Sequence, residues 1–206
     1  MGSTRHPSVD ALSALLEIAM DRNPGLHVRP IRNLEELEAL WHIDNLAYGN
    51  ANVTFDSFQS WWRAYPRGLQ AILQDGEVLG AVGIWPVPEI WQRDFWSGKC
   101  SEEELTAEMV SASAEDRSSW YISGVVLDAS KRRTGAIASL LRQAALAWGI
   151  EANIAVPVTL TAMAISQHGE RLLSRFGFSL VNHCAKDGFP IYTRTVAAHD
   201  LPLMLG

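Results

Sequence analysis

Only two cysteines occur in 206 residues, Cys100 and Cys184. They stand far apart and without metal-ligand spacing. Neither a disulfide framework nor a cysteine-based metal centre is therefore expected, and a reduced, cytoplasmic protein is the simple reading. No apolar run approaches the ~18 residues of a membrane-spanning helix. The residues from Met1 to Asp10 are polar, and the apolar stretch after them is broken by Ser13 and Glu17, so it does not read as a signal peptide. Positive charge is also scarce: 17 Lys and Arg stand against 23 Asp and Glu, a net charge of −6. No basic stripe of the kind that tracks a nucleic-acid backbone is visible. Basic residues gather only locally, at Lys131-Arg132-Arg133, where a small anionic ligand could be received. What is present is ordinary for one globular domain: 48% hydrophobic and 19% charged residues, with no internal repeat.

Periodicity orders the elements. Val9, Leu12, Leu16, Ala19 and Met20 make one helical face, and Asn23-Pro24-Gly25 stops it, so residues 1–25 read as a helical extension. His27 to Arg32 is a short strand. Asn33 caps a helix that buries Leu37, Leu40, Trp41 and Tyr48, with Glu36 placed to complete a capping box. Thr54 caps the next helix, where Phe55, Phe58, Trp62 and Tyr65 recur at helical spacing. The pattern then changes to strands: 69–73 and 78–85 flank Asp75-Gly76, a hairpin turn signal. Residues 86–117 form a helical insertion holding Trp91, Phe95 and Trp96, with Ser101 and Glu104 spaced as a capping box. Strand 120–127, helix 136–148, strand 156–162 and helix 166–176 follow. A second hairpin closes the pattern around Asp187-Gly188. The result is one α/β domain over residues 1–206 with a mixed sheet, in which two strand–helix units imply parallel pairing by a right-handed crossover.

The stretch from Tyr121 to Leu141 carries the chemistry. An apolar strand runs into a short basic turn that opens a helix. The first amides of a helix lack intrahelical acceptors, and the helix dipole adds partial positive charge there. Gly135 allows close backbone approach, and Arg132 and Arg133 add charge. A pyrophosphate fits such a turn.

The segment Arg132-Arg133-Thr134-Gly135-Ala136-Ile137 resembles the signature of the GNAT superfamily of N-acetyltransferases, Gln/Arg-x-x-Gly-x-Gly/Ala. It matches at Arg132 and Gly135 and departs at Ile137. A late helix ending in a Gly-Phe pair, here Gly177-Phe178, is a second similarity, and together they cover roughly residues 27–196. The resemblance implies a mixed, mostly antiparallel central sheet with helices on both faces. Two parallel strands would splay apart at the donor site. It implies acetyl-CoA as donor, with no metal. Its pantetheine arm would pair with the backbone of Val125, Val126 and Leu127, and its pyrophosphate would rest on Arg132, Arg133, Thr134, Gly135, Ala136, Ile137 and Ala138. Ser166 falls where many members have an Asn that touches the donor. The acceptor would be an amine of a small molecule that attacks the thioester directly. A homodimer is a common family form, and neither a nucleic acid nor a membrane is an expected partner.

The chemical half is less legible. Where many members have a Tyr that protonates the departing thiolate, four residues before Gly177, this sequence has Leu173. Ser123 and Tyr192 are catalytic candidates, and Cys184, His168 or water are further sources of the proton that the thiolate takes. Glu89, Glu115 and Asp116 read as solvated charges. The aromatic insertion suggests a cover over an apolar acceptor or a long acyl chain. Two alternatives therefore stand beside acetyl transfer: a longer-chain acyltransferase using acyl-CoA or an acyl carrier protein, and a module that binds acyl-CoA without turnover.

Overall fold

The computed structural model describes residues 26–49, 53–116, 118–128, 143–144, 147–149 and 157–197. The expected helix over 9–22 and the turn 132–138 lie outside the described residues. Among the described residues, seven strands form one sheet: β1 (Leu26–Pro30), β2 (Leu69–Gln74), β3 (Glu77–Pro86), β4 (Ser119–Leu127), β5 (Val158–Met163), β6 (Ser179–His183) and β7 (Pro190–Val196). Their order is β1-β2-β3-β4-β5-β7-β6. All neighbours are antiparallel except β4 and β5. The helices are α1 (Leu34–Tyr48), α2 (Phe55–Ala64), α3 (Glu89–Trp96), α4 (Ala107–Ser113) and α5 (Gln167–Arg175). Gln143, Ala144 and residues 147–149 are also helical.

The expected punctuation is visible in the hydrogen bonds, with two differences. The Asn33 side chain accepts from the Glu36 amide at 2.9 Å, which caps α1. Glu36 does not turn back to close a capping box. Its carboxylate takes both guanidinium nitrogens of Arg29, at 2.8 and 2.9 Å, and the Arg32 amide at 3.0 Å. A bidentate charged pair is stronger than a single backbone contact, and it ties the start of α1 to β1. The second difference lies in the insertion. The box of Ser101 and Glu104 forms, but it opens only a 3-10 turn over Glu102–Glu104. Thr106 then caps α4.

Aromatic packing positions the centre of the sheet. Trp85 and Tyr121 are cross-strand partners and share a face. Phe58 and Trp61 of α2 pack edge-on to Trp85, while Trp91 and Phe95 of α3 pack against Tyr121. Trp120 points to the opposite face and meets Trp148 at 4.9 Å. The insertion therefore packs into the core. Trp91 and Phe95 are buried, and the Trp96 indole donates to Thr161 Oγ1 at 2.8 Å. The expectation that these rings line an acceptor pocket does not hold, because they are spent on covering β4 and β5.

Gln92 of α3, only 1% exposed, donates through Nε2 to the carbonyl of Thr159 in β5 at 3.1 Å and to that of Trp120 in β4 at 3.4 Å. It bridges the parallel strands at the start of their pairing.

Candidate active site

The parallel pairing of β4 and β5 runs from Ser119 with Thr159 to Ile122 with Ala162 and goes no further. At the next residue β4 is bulged. Gly83 of β3 faces Gly124, Ile84 faces Ile122, and Ser123 is the extra residue. A bulge bends the strand and raises its twist, which carries Ser123 to Leu127 away from β5. Gly83 makes room for the bulge: a Cβ there would lie 2.6 Å from Ser123 Oγ. The Trp85 indole donates to the same oxygen at 2.8 Å and holds Ser123 on the α2 face.

Past the bulge, β4 has no pairing with β5 among the described residues. The Asp128 amide donates to the Leu79 carbonyl at 2.7 Å, so Asp128 turns its backbone groups toward β3. Alternation along an antiparallel strand gives Val126 the same direction and gives Val125 and Leu127 the other. Of the three residues expected to meet the pantetheine, Val126 is thus committed to β3. Val125 and Leu127 turn their backbone groups to the side away from β3, beyond the last pair with β5.

Helix α1 lies over this edge. An added Cβ at Gly124 would stand 3.9 Å from Asp44 Oδ1, so the carboxylate sits directly over the strand with no side chain between. Burial raises the Asp44 carboxyl from its ordinary 3.8 to about 6. One helical turn later, the Tyr48 hydroxyl donates to the Val125 carbonyl at 2.7 Å. Residues four apart share a helix face, so Asp44 and Tyr48 address neighbouring residues of β4. Neither is marked by a local motif. Asp44 looks like an ordinary polar position of an amphipathic helix until α1 docks, and Tyr48, which the periodicity places in the core, is instead 37% exposed because it reaches to the edge of β4.

The residues read from the sequence fall in several places. Ser166 caps α5, accepting from the Gly169 amide at 3.1 Å. Tyr192, 7% exposed, sits on the other face of the sheet, paired in register with Ala162. Its hydroxyl donates to Glu170 of α5 at 3.4 Å. Burial and the Glu170 charge raise its pKa. Leu173 is packed against the core. Burial and nearby carboxylates push the Cys100 thiol up to about 11, and Cys184 is buried, neither being the setting of a reactive thiolate. Arg132, Arg133, Thr134, Gly135, Ala136, Ile137 and Ala138 lie outside the described residues.

A cavity of about 10 Å³ opens beside the last residue of β5, lined by Ser101, Glu102, Glu103, Met163, Cys184, Lys186 and Asp187. It has room for one water-sized group. Glu102 is 9% exposed and hydrogen-bonded to the Tyr121 side chain. Burial raises its carboxyl from 4.5 to about 8, helped by the charges of Asp44, Asp187 and Glu103. The folded chain thus keeps a proton that the unfolded chain releases near pH 4.5. The associated stability is fully present below that value and is lost as pH rises toward 8. Glu102→Gln, neutral at every pH, gains stability relative to the parent across this window. Urea unfolding at a series of pH values measures the difference, and a gap that stays flat with pH would contradict the assignment.

This mixed sheet, antiparallel except for one parallel pair and bulged beneath a helix, is the frame that carries the site. The chain belongs to the acetyltransferase (GNAT) family, whose model matches residues 34–178. It is an acetyltransferase of that family. No curated protein matches it. Among solved structures, it is similar to Ard1 from Thermoplasma volcanium at 16% identity, covering 84% of this chain and 98% of that one, with a TM-score of 0.56. Naa50 of Arabidopsis thaliana, in complex with a bisubstrate analogue of CoA and a peptide, superposes with a TM-score of 0.53 at 10% identity, covering 84% and 99%. Diaminobutyrate acetyltransferase from Paenibacillus lautus, in complex with L-2,4-diaminobutyric acid and coenzyme A, gives 0.52 at 10% identity, covering 84% and 95%. At these identities the structural likeness speaks for the fold. Among the described residues, no helix is long and apolar enough to cross a membrane, and no His, Cys, Asp and Glu cluster suits a metal ion.

Proposed function

We propose that the protein transfers the acetyl group of acetyl-CoA to the amine of a small acceptor, with Asp44 as general base. The observation behind this reading is the stretch of β4 beyond its last pair with β5, which lies beneath Asp44. An extended amide arm can add to such an edge as a strand does, alongside the backbone of Val125 and Leu127. An arm anchored at the basic turn after β4 runs back along the edge toward Gly124. Its thioester then arrives below the Asp44 carboxylate, with the Val125 amide available to the carbonyl oxygen. The acceptor nitrogen attacks the carbonyl carbon and loses a proton to Asp44. The C–S bond breaks, and CoA leaves as the thiolate, which is then protonated to the free thiol.

Burial of Trp91 and Phe95 against Tyr121 supports a small acceptor over one held by the insertion, and it removes the motive for a long acyl chain. Acetyl-CoA at 100 times its dissociation constant should add about 2.7 kcal/mol of stability. Thermal shift with acetyl-CoA, a long-chain acyl-CoA and free CoA measures this, and release of thiol over a panel of primary amines measures turnover. No shift with any of the three would sink the reading. A shift without turnover would make the protein an acyl-CoA-binding module.

A further inference from the structure

Leu173 leaves the departing thiolate without the proton donor usual in the family, and the described side chains narrow the search for its replacement. Tyr192 is buried on the other face of the sheet and donates to Glu170 at 3.4 Å. Ser166 is held as a helix cap, and Ser123 accepts from Trp85. Tyr48 differs from all of these in position. Its side chain reaches from the last turn of α1 to the edge of β4, where the hydroxyl donates to the Val125 carbonyl at 2.7 Å. The residue is 37% exposed, so the hydroxyl is within reach of a ligand and of solvent.

We propose that Tyr48 is the proton donor to the CoA thiolate. The inference rests on the acetyl-CoA reading above and adds a residue to it. The donor arm lies along the same edge that the Tyr48 hydroxyl already touches. Asp44 stands over Gly124, one residue from Val125, on the same face of α1. One helix therefore supplies both proton-handling groups, the base toward the amine and the acid toward the sulfur. In the step itself, the N–C bond forms as the C–S bond breaks. The amine proton passes to the Asp44 carboxylate, and the sulfur takes the phenolic proton of Tyr48. The phenolate recovers a proton from water, and Asp44 releases its own to water. The net products are the acetamide and free CoA thiol, with atoms and charge in balance.

Tyr48→Phe keeps the ring and removes only the hydroxyl. Steady-state thiol release with acetyl-CoA and the best amine of the panel is the measurement, taken across pH. The expected result is a fall in kcat of about 100-fold, the lower range for one acid or base. The KM for acetyl-CoA should change little, and the decline of the parent's rate at high pH should disappear. A variant with the parent's kcat overturns the inference while leaving acetyl transfer intact. So does a slower variant whose pH profile keeps the parent's shape, since that reports a structural role. Absence of turnover by the parent protein with every amine overturns both readings together.

Discussion

Asp44→Asn should lower kcat/KM for acetyl transfer by about 100-fold or more, the range expected for removal of a general base. Asparagine matches the shape of the carboxylate and keeps a polar group over Gly124, but it cannot accept the amine proton. The pH dependence gives the sign of the effect. Burial raises the Asp44 carboxyl to about 6, so the parent holds the carboxylate above that pH and loses it below. The parent's rate should therefore fall as pH drops through about 6, and the variant should be slow on both sides. The elevated value suits the task, since a base is most effective when its pKa lies near the working pH. Binding of acetyl-CoA, followed by thermal shift, should survive the substitution, because the role proposed for Asp44 is toward the amine and not the donor arm. A variant with the parent's rate at neutral pH would place the base elsewhere.

Trp85→Ala should destabilise the fold by about 3–5 kcal/mol, the cost typical of emptying a large aromatic site in a core. For a chain of this size, each kcal/mol lowers Tm by about 2–4 °C. Trp85 is fully buried, meets Phe58 and Trp61 edge-on, and donates to Ser123 Oγ at 2.8 Å. The loss therefore combines a cavity with an orphaned hydroxyl at the bulge. Differential scanning calorimetry reads the first effect. The second should appear as weaker binding of acetyl-CoA in the variant that remains folded at low temperature, because the bulge sets the direction of β4 beyond it. A Tm within a few degrees of the parent would show that the indole site collapses around the deletion.

Much of this architecture follows from local chemistry. Asn33, Thr54 and Ser166 stop the chain from forming anything but helix starts, because their side chains satisfy amides that have no other acceptor. Asp75 and Gly76 both adopt positive φ, as a tight hairpin demands. Gly177, with φ of 74°, ends the late helix where expected. The site is legible only in part. The strand before the basic turn is evident in Val125 to Leu127, whereas Asp44 and Tyr48 lie some 80 residues earlier, in a helix with no motif of its own. Nothing local distinguishes Asp44 from Glu38 or Asp56. Trp91 and Phe95 were expected over a pocket because an insertion has no assigned neighbour in sequence. Their burial against Tyr121 depends on how the insertion folds back.

Composition, periodicity and turn chemistry by themselves determined the kind of fold, the order of its elements and the family signature. Those signals are written within a few residues of one another, where spacing alone sets which groups can meet. The tertiary structure decided the rest: that β4 bulges at Ser123 and leaves β5, that Val125 and Leu127 rather than Val126 turn away from β3, and that α1 brings Asp44 and Tyr48 to this stretch. Each of these is a meeting between segments far apart in the chain. Such meetings are chosen by packing of the whole core, in which Trp85, Tyr121 and Gln92 hold the strands together up to the point where they part.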